Sequence, residues 1–181
     1  VVRRQRQMCI RVRFYICIIL LNLIYSCNTS NKHNDKPNII LIVADDLGYG
    51  DLSIFGNKDI LTPNIDKLGL EGVVFTDFHS NGSVCSPTRA ALLTGKYQQR
   101  VGVSGVITAK NHRDKGLSID EITFANIAKE SGYKTGIFGK WHLGYDPVYN
   151  PINQGFDEFI GFVSGNVDYH SHIDQEGYKD C

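Results

Sequence analysis

The sequence predicts an α/β sandwich built on a mostly parallel sheet. Three observations carry that reading: an apolar run at 38–44 with further segments of strand character at 73–78 and 133–138, intervening segments marked by helix-start and helix-stop residues, and polar clusters placed just after strand ends or at a helix start. In such sheets ligands gather beyond the carboxyl ends of the strands.

Taken in order, Asn38 to Ala44 is, after the asparagine, a continuous apolar run rich in β-branched residues, which suits a strand buried on both faces, and it ends in Asp45 and Asp46. Thr62 followed by Pro63 starts a helix, with Ile65 and Leu68 at helical spacing and Gly72 as its stop. Val73 to Phe78 returns to strand character. Pro87 fits the first turn of a second helix that runs to Thr94 and closes at Gly95, which sets Cys85 at or just before a helix N-terminus. Ser118 and Glu121 have capping-box spacing ahead of a stripe formed by Ile122, Ala125 and Ala128, so a third helix is expected there, ending at Gly132. Tyr133 to Phe138 is the strand that leads into Gly139, Lys140, Trp141 and His142. No internal repeat is visible.

Composition bounds the function. With 181 residues, 42% of them hydrophobic, the chain can bury the core of one globular domain. Nineteen Lys and Arg balance nineteen Asp and Glu, which removes the electrostatic reason to propose a nucleic-acid partner. Function must come from a local site.

The start of the chain is a separate object. Arg3, Arg4, Arg6, Arg11 and Arg13 precede an apolar run from Phe14 to Ile24, then Tyr25, Ser26 and Cys27, the layout of a secretory signal. The apolar run is about half of the ~20 residues that a spanning helix needs. The residues around Cys27 resemble a bacterial lipoprotein signal, so 1–27 reads as a signal peptide of lipoprotein type, with cleavage without lipid, or retention, as the alternatives. Residues 28–36 are a polar linker and 37–181 the domain. The expected location is outside the cytoplasm, in the periplasm or on the outer-membrane surface, with membrane attachment through lipid on Cys27. Only Cys85 and Cys181 remain for the domain, so no disulfide framework is available.

Three clusters can carry chemistry. Asp45 and Asp46 supply hard oxygen ligands suited to calcium or magnesium, or else form a solvated turn. Cys85 and Arg89, four residues apart, share a helix face where an anion can be gripped over the N-terminus; a buried cysteine beside a solvated arginine is the plainer alternative. Lys140 and His142, one residue apart on an extended segment, point the same way and can hold an oxyanion, while Trp141 faces the packed side; solvated side chains are again the plainer alternative.

Together the clusters resemble a family. Cys85, Ser86, Pro87, Thr88, Arg89 and the following residues through Leu93, Thr94 and Gly95 resemble the first sulfatase signature, C-x-P-x-R with L-T-G after three further residues. Gly132 to His142 is similar to the second, G-Y-x-T-x-x-x-G-K-x-H. The likeness runs from about Pro37 to at least Gly161. It implies a three-layer α/β/α sandwich of alkaline-phosphatase type, incomplete in this chain.

The resemblance also implies a mechanism. Cys85 is oxidised to formylglycine by a formylglycine-generating or anaerobic sulfatase-maturating enzyme, and the aldehyde hydrates to a diol. One hydroxyl attacks sulfur, the alcohol leaves, and the second hydroxyl expels sulfate as the aldehyde reforms, so two easier steps replace one hard one. Asp45, Asp46 and the modified Cys85 are the implied ligands of one calcium ion. Arg89 holds the modified residue, His142 contacts the diol and Lys140 the sulfate oxygens. The implied substrates are sulfated carbohydrates or aryl sulfates; a phosphonate or phosphodiester hydrolase of the same superfamily and a non-catalytic binding protein of the same fold are the alternatives. His170 and His172 are either pocket residues or exposed loop histidines. Family members supply further metal and substrate ligands from later in the chain, whereas calcium takes six to eight oxygens, so the 181-residue piece is expected to be inactive alone.

Overall fold

The computed structural model describes residues 36–174 and 176–179. The leader, Cys27, the linker up to residue 35 and Cys181 lie outside the described residues. The chain divides after Val43 into two units. In the first, residues 36–43 carry no regular secondary structure and their side chains are exposed, Ile40 and Ile42 to more than 80%. The strand expected over 38–44 therefore does not form. Apolar content qualifies a segment for a buried strand, but ladder hydrogen bonds make it one, and 38–44 has none among the described residues.

The second unit contains three α-helices and a two-stranded sheet among its described residues. Helix α1, Pro63–Glu71, starts at the predicted proline, with Thr62 as N-cap and Gly72 beyond its end. It is braced against the Ser53–Phe55 turn, where Asp66 accepts from the Ser53 hydroxyl at 2.6 Å and the Thr62 hydroxyl at 2.8 Å. The 73–78 run that follows is irregular, with Val73, Phe75 and Phe78 exposed, so the second expected strand is also absent.

Helix α2, Cys85–Thr94, begins on the cysteine itself. Gly95 closes it at φ 64°, its N–H donating to the Ala91 carbonyl at 2.9 Å; a left-handed residue at this place favours glycine, which has no Cβ to clash. Pro87 sits in the first turn, where its missing N–H costs nothing, and the small Ala90 and Ala91 let the helix press into the core.

Helix α3, Phe124–Glu130, starts five residues later than the Ser118 cap suggested. The reciprocal cap is made by Thr123 and Asn126: the Asn126 N–H donates to the Thr123 hydroxyl and the Thr123 N–H to the Asn126 side-chain Oδ1. Glu121 is engaged elsewhere, accepting from Lys96 Nζ at 2.6 Å. Two segments with capping spacing competed, and the one whose side chains could reach back won.

Strand β1, Gly136–Lys140, lies three residues later than the 133–138 run. It pairs in parallel with β2, Glu158–Phe162, in the register Phe138 to Ile160 and Lys140 to Phe162. Pairing continues past the strand end, with Trp141 N–H donating to the Phe162 carbonyl and His142 N–H to that of Val163. One face of the sheet, Ile137 and Phe159, packs on the core. That core gathers Ala90 and Leu93 of α2, Val101, Val103, Ile107, Leu117, Ala125 of α3, and Trp141, Leu143 and Phe156. Trp141 is 1% exposed, meets Phe156 edge-on, and donates its indole N–H to the Tyr149 carbonyl. Burying this ring anchors the residues on either side of it, and those are Lys140 and His142.

Candidate active site

The start of α2 and the end of β1 meet the Asp45–Asp46 pair. One oxygen from each aspartate and Cys85 Sγ lie within 4.8 Å of one another. Lys140 Nζ donates to Asp45 Oδ2 at 3.0 Å and Oδ1 at 3.2 Å, and stands 3.3 Å from Cys85 Sγ. Arg89, one helical turn after the cysteine, sends Nη1 to the Lys140 carbonyl at 2.6 Å and Nη2 to Asp45 Oδ1 at 3.2 Å. A single guanidinium thus ties α2, the end of β1 and the acidic pair together.

His142 completes this wall. Trp141 turned inward leaves Lys140 and His142 lining the same cavity, as alternation predicts. The backbone is not extended throughout, however, because His142 lies at φ 58° and Asp46 at φ 57°. Left-handed residues other than glycine are uncommon and concentrate at functional sites. The His142 ring is 4% exposed and its Nε2–H donates to the buried Ile107 carbonyl at 2.9 Å. Its Nδ1 has no hydrogen-bond partner among the described residues.

Electrostatics follow from this packing. Burial, then the Lys140 ammonium and the Arg89 guanidinium, push the His142 imidazole down to about 4, against the opposing pull of the Ile107 carbonyl and Asp45. Partial burial acts to raise the Asp45 carboxyl, but the hydrogen bonds and charges of Lys140 and Arg89 outweigh it and hold the group below the usual carboxylate range. The site therefore presents a neutral imidazole and an ionised carboxylate at neutral pH.

The cavity measures about 290 Å³. Its first wall is Asp45, Asp46, Cys85, Lys140 and His142, five of the six residues singled out by sequence; Arg89 braces them from behind. The second wall was not legible in the sequence: residues 106–109, Tyr145, Ser164, Gly165, Asn166, Asp174 and Glu176. Asp174 is buried, accepts from the N–H groups of Glu176 and Tyr178, and pairs with Arg113 at 3.4 Å. Arg113 also lies over the Tyr178 ring at 3.6 Å. Nothing local marks these residues, since the pair spans 61 positions. His170 and His172 are exposed and do not line the cavity, which agrees with their reading as loop histidines.

The sulfatase family profile matches residues 37–180. The chain belongs to the sulfatase family. Arylsulfatase A of Bos taurus is 48% identical over 127 residues, covering 69% of this chain and 25% of that protein. Arylsulfatase H of Canis lupus familiaris is 44% identical over 143 residues, covering 73% and 25%. Among solved structures, Ps i-CgsB in complex with k-i-k-neocarrahexaose matches at 42% identity and a TM-score of 0.71, covering 78% of this chain and 31% of that one. A sulfatase structure from work on glycosaminoglycan metabolism by Bacteroides thetaiotaomicron matches at 39% identity and a TM-score of 0.61, covering 69% and 28%. These neighbours bear out the alkaline-phosphatase-like α/β fold, of which this chain carries a part. The chain spans about a quarter of the length of the curated relatives it matches.

Proposed function

We propose that this chain carries the nucleophile and part of the oxyanion grip of an enzyme that hydrolyses sulfate esters of carbohydrates. The observation that carries this is the meeting of Asp45, Asp46 and Cys85 within 4.8 Å, with Lys140 Nζ 3.3 Å from the sulfur. Carboxylates and a thiol form a mixed donor set, because calcium favours oxygen and a thiol does not suit it. Oxidation of Cys85 to formylglycine turns the set into oxygen donors alone, and on that basis the three residues fit calcium as part of its six to eight ligands. The ion, when bound, supplies charge neutralisation at a sulfate oxygen.

The remaining roles belong to the chain. Cys85, converted by a maturation enzyme, presents the attacking hydroxyl from the head of α2, whose dipole favours an anion at that end. Lys140 neutralises charge between Asp45 and the nucleophile and is placed to meet a sulfate oxygen. Arg89 fixes Asp45 and the Lys140 backbone in one arrangement, so the site is set before substrate arrives. His142, neutral at pH 7, offers the Nδ1 lone pair as acceptor for the hydroxyl proton. The carbohydrate in the complex of a structural neighbour supports the substrate class. Export, with lipid on Cys27, rests on the basic, apolar, small-residue layout of the leader.

Two measurements test the proposal on the protein purified from its native host. The tryptic peptide over Cys85 should be lighter by about 18 Da, as expected when an aldehyde replaces a thiol. Aryl sulfate should be hydrolysed faster than aryl phosphodiester; the reverse order refutes the sulfate reading, and an unmodified Cys85 favours a binding protein.

A further inference from the structure

The second residue of the first signature is the x of C-x-P-x-R. Here it is Ser86, fully buried in the first turn of α2. Its hydroxyl oxygen accepts from the Ile107 N–H at 3.1 Å, a buried bond across 21 positions. The carbonyl of that same Ile107 accepts from His142 Nε2 at 2.9 Å, a buried bond across 35 positions. Both polar groups of one loop residue are thus held, one by the neighbour of the nucleophile and the other by the imidazole.

The side chains of Ile107 and Ala109 are buried, Ile107 in the core, but no ladder fixes the backbone polar groups of this loop. No helix or strand includes residues 106–109, and the next N–H, that of Thr108, donates to His112 Nδ1 at 3.2 Å. The imidazole has no slack either: a Cβ on Gly165 would stand 2.8 Å from its Cε1 and 2.9 Å from Nε2, so the ring lies flush against that backbone. Facing a carbonyl, Nε2 must carry the proton, which leaves the lone pair on Nδ1, the atom without a partner among the described residues. The position of the Ile107 carbonyl therefore decides both where the ring sits and which nitrogen is basic. A buried acceptor that moves or rotates would free the ring to exchange tautomers.

We propose that Ser86 is a positioning residue that, through the backbone of Ile107, locks His142 in the Nε2–H tautomer and so keeps the lone pair on Nδ1. The consequence for catalysis rests on the reading of His142 given above; the positioning itself does not. A serine suits the task because its hydroxyl, fully buried, accepts from the Ile107 N–H. An alanine leaves that buried N–H without its acceptor, and a threonine keeps the acceptor.

The test uses Ser86→Ala and Ser86→Thr in the protein expressed in its native host, with histidine labelled in the ring nitrogens and the His142 resonance identified by its loss in His142→Gln. Conversion of Cys85 is measured by mass and turnover is expressed per converted site, because position 86 adjoins the maturation site. The wild type should show the Nε2–H tautomer alone. Ser86→Ala should give a tautomer mixture, with kcat on aryl sulfate lowered about 10- to 100-fold and KM changed less than about threefold, the scale expected for a misplaced group. Ser86→Thr should restore both. A pure Nε2–H tautomer in Ser86→Ala overturns the proposal whatever the activity. If the alanine variant does not fold, Ser86→Thr decides, and a mixed tautomer with the hydroxyl in place overturns it. A tautomer change in a protein without sulfate-ester turnover leaves the positioning intact and refutes the proposed function.

Discussion

Acid should destabilise this protein through one residue more than any other, His142. In the unfolded chain an imidazole titrates near 6.5, whereas in the fold burial, Lys140 and Arg89 hold it at about 4. Above 6.5 both states are neutral and the group contributes nothing to pH dependence. As pH falls below 6.5 the unfolded chain takes up a proton that the native site refuses, so stability drops until pH reaches about 4 and the native ring also protonates. The gap between 6.5 and about 4, at ~1.4 kcal/mol per pH unit, is worth ~3 kcal/mol. The ring is 4% exposed, so solvent screening takes little from this figure. The carboxyl of Asp45, held low, also loses stability in acid, so wild type alone does not isolate the effect. His142→Gln does, because an amide N–H can still reach the Ile107 carbonyl and does not titrate. Urea midpoints at about pH 7 and about pH 4 should show the variant losing ~3 kcal/mol less than wild type across that interval. Equal losses in the two proteins would refute the reasoning.

Other outcomes follow from the same geometry. Arg89→Lys loses the fork that joins the Lys140 carbonyl to Asp45; because the Asp45 side chain is 47% exposed, the backbone bond at 2.6 Å should dominate, costing ~1.5–3 kcal/mol in thermal unfolding and about 10²-fold in turnover. Gly165→Ala drives a methyl against the His142 ring and should lower kcat with little change in KM; an unchanged rate would show that the ring has room. Calcium should raise the melting temperature of the matured protein, by the equivalent of ~2.7 kcal/mol at a hundredfold excess over Kd, and Asp46→Asn should shrink that rise; equal shifts in the two proteins would remove Asp46 from the ligand set.

How far the sequence reached varied with the range of the cause. Helices α1 and α2 were legible to within a residue or two, because Pro63 and Pro87 near their starts and Gly72 and Gly95 beyond their ends act on their own turn. The start of α3 was misplaced because two capping spacings lie five residues apart and only contact with Lys96 and Gln154 separates them: Glu121 turns to Lys96, while the Thr123 hydroxyl donates to the Gln154 carbonyl. The runs 38–44 and 73–78 looked like strands and are not, since strand identity depends on a partner elsewhere in the chain.

What the amino-acid sequence determined by itself was the chemistry available. It placed a cysteine at the head of a helix with an arginine one turn on, two adjacent carboxylates, and a lysine and histidine flanking a tryptophan that must be buried. Those are local facts, set by side-chain type and by the periods of helix and strand. Only the tertiary structure decided that Asp45, Cys85, Lys140 and His142 line one cavity, because they come from segments tens of residues apart that meet through the packing of α2 and β1 on a common core. It alone decided the basicity of His142 and the second wall of Tyr145, Asn166 and Asp174, since burial and electric field arise from neighbours in space.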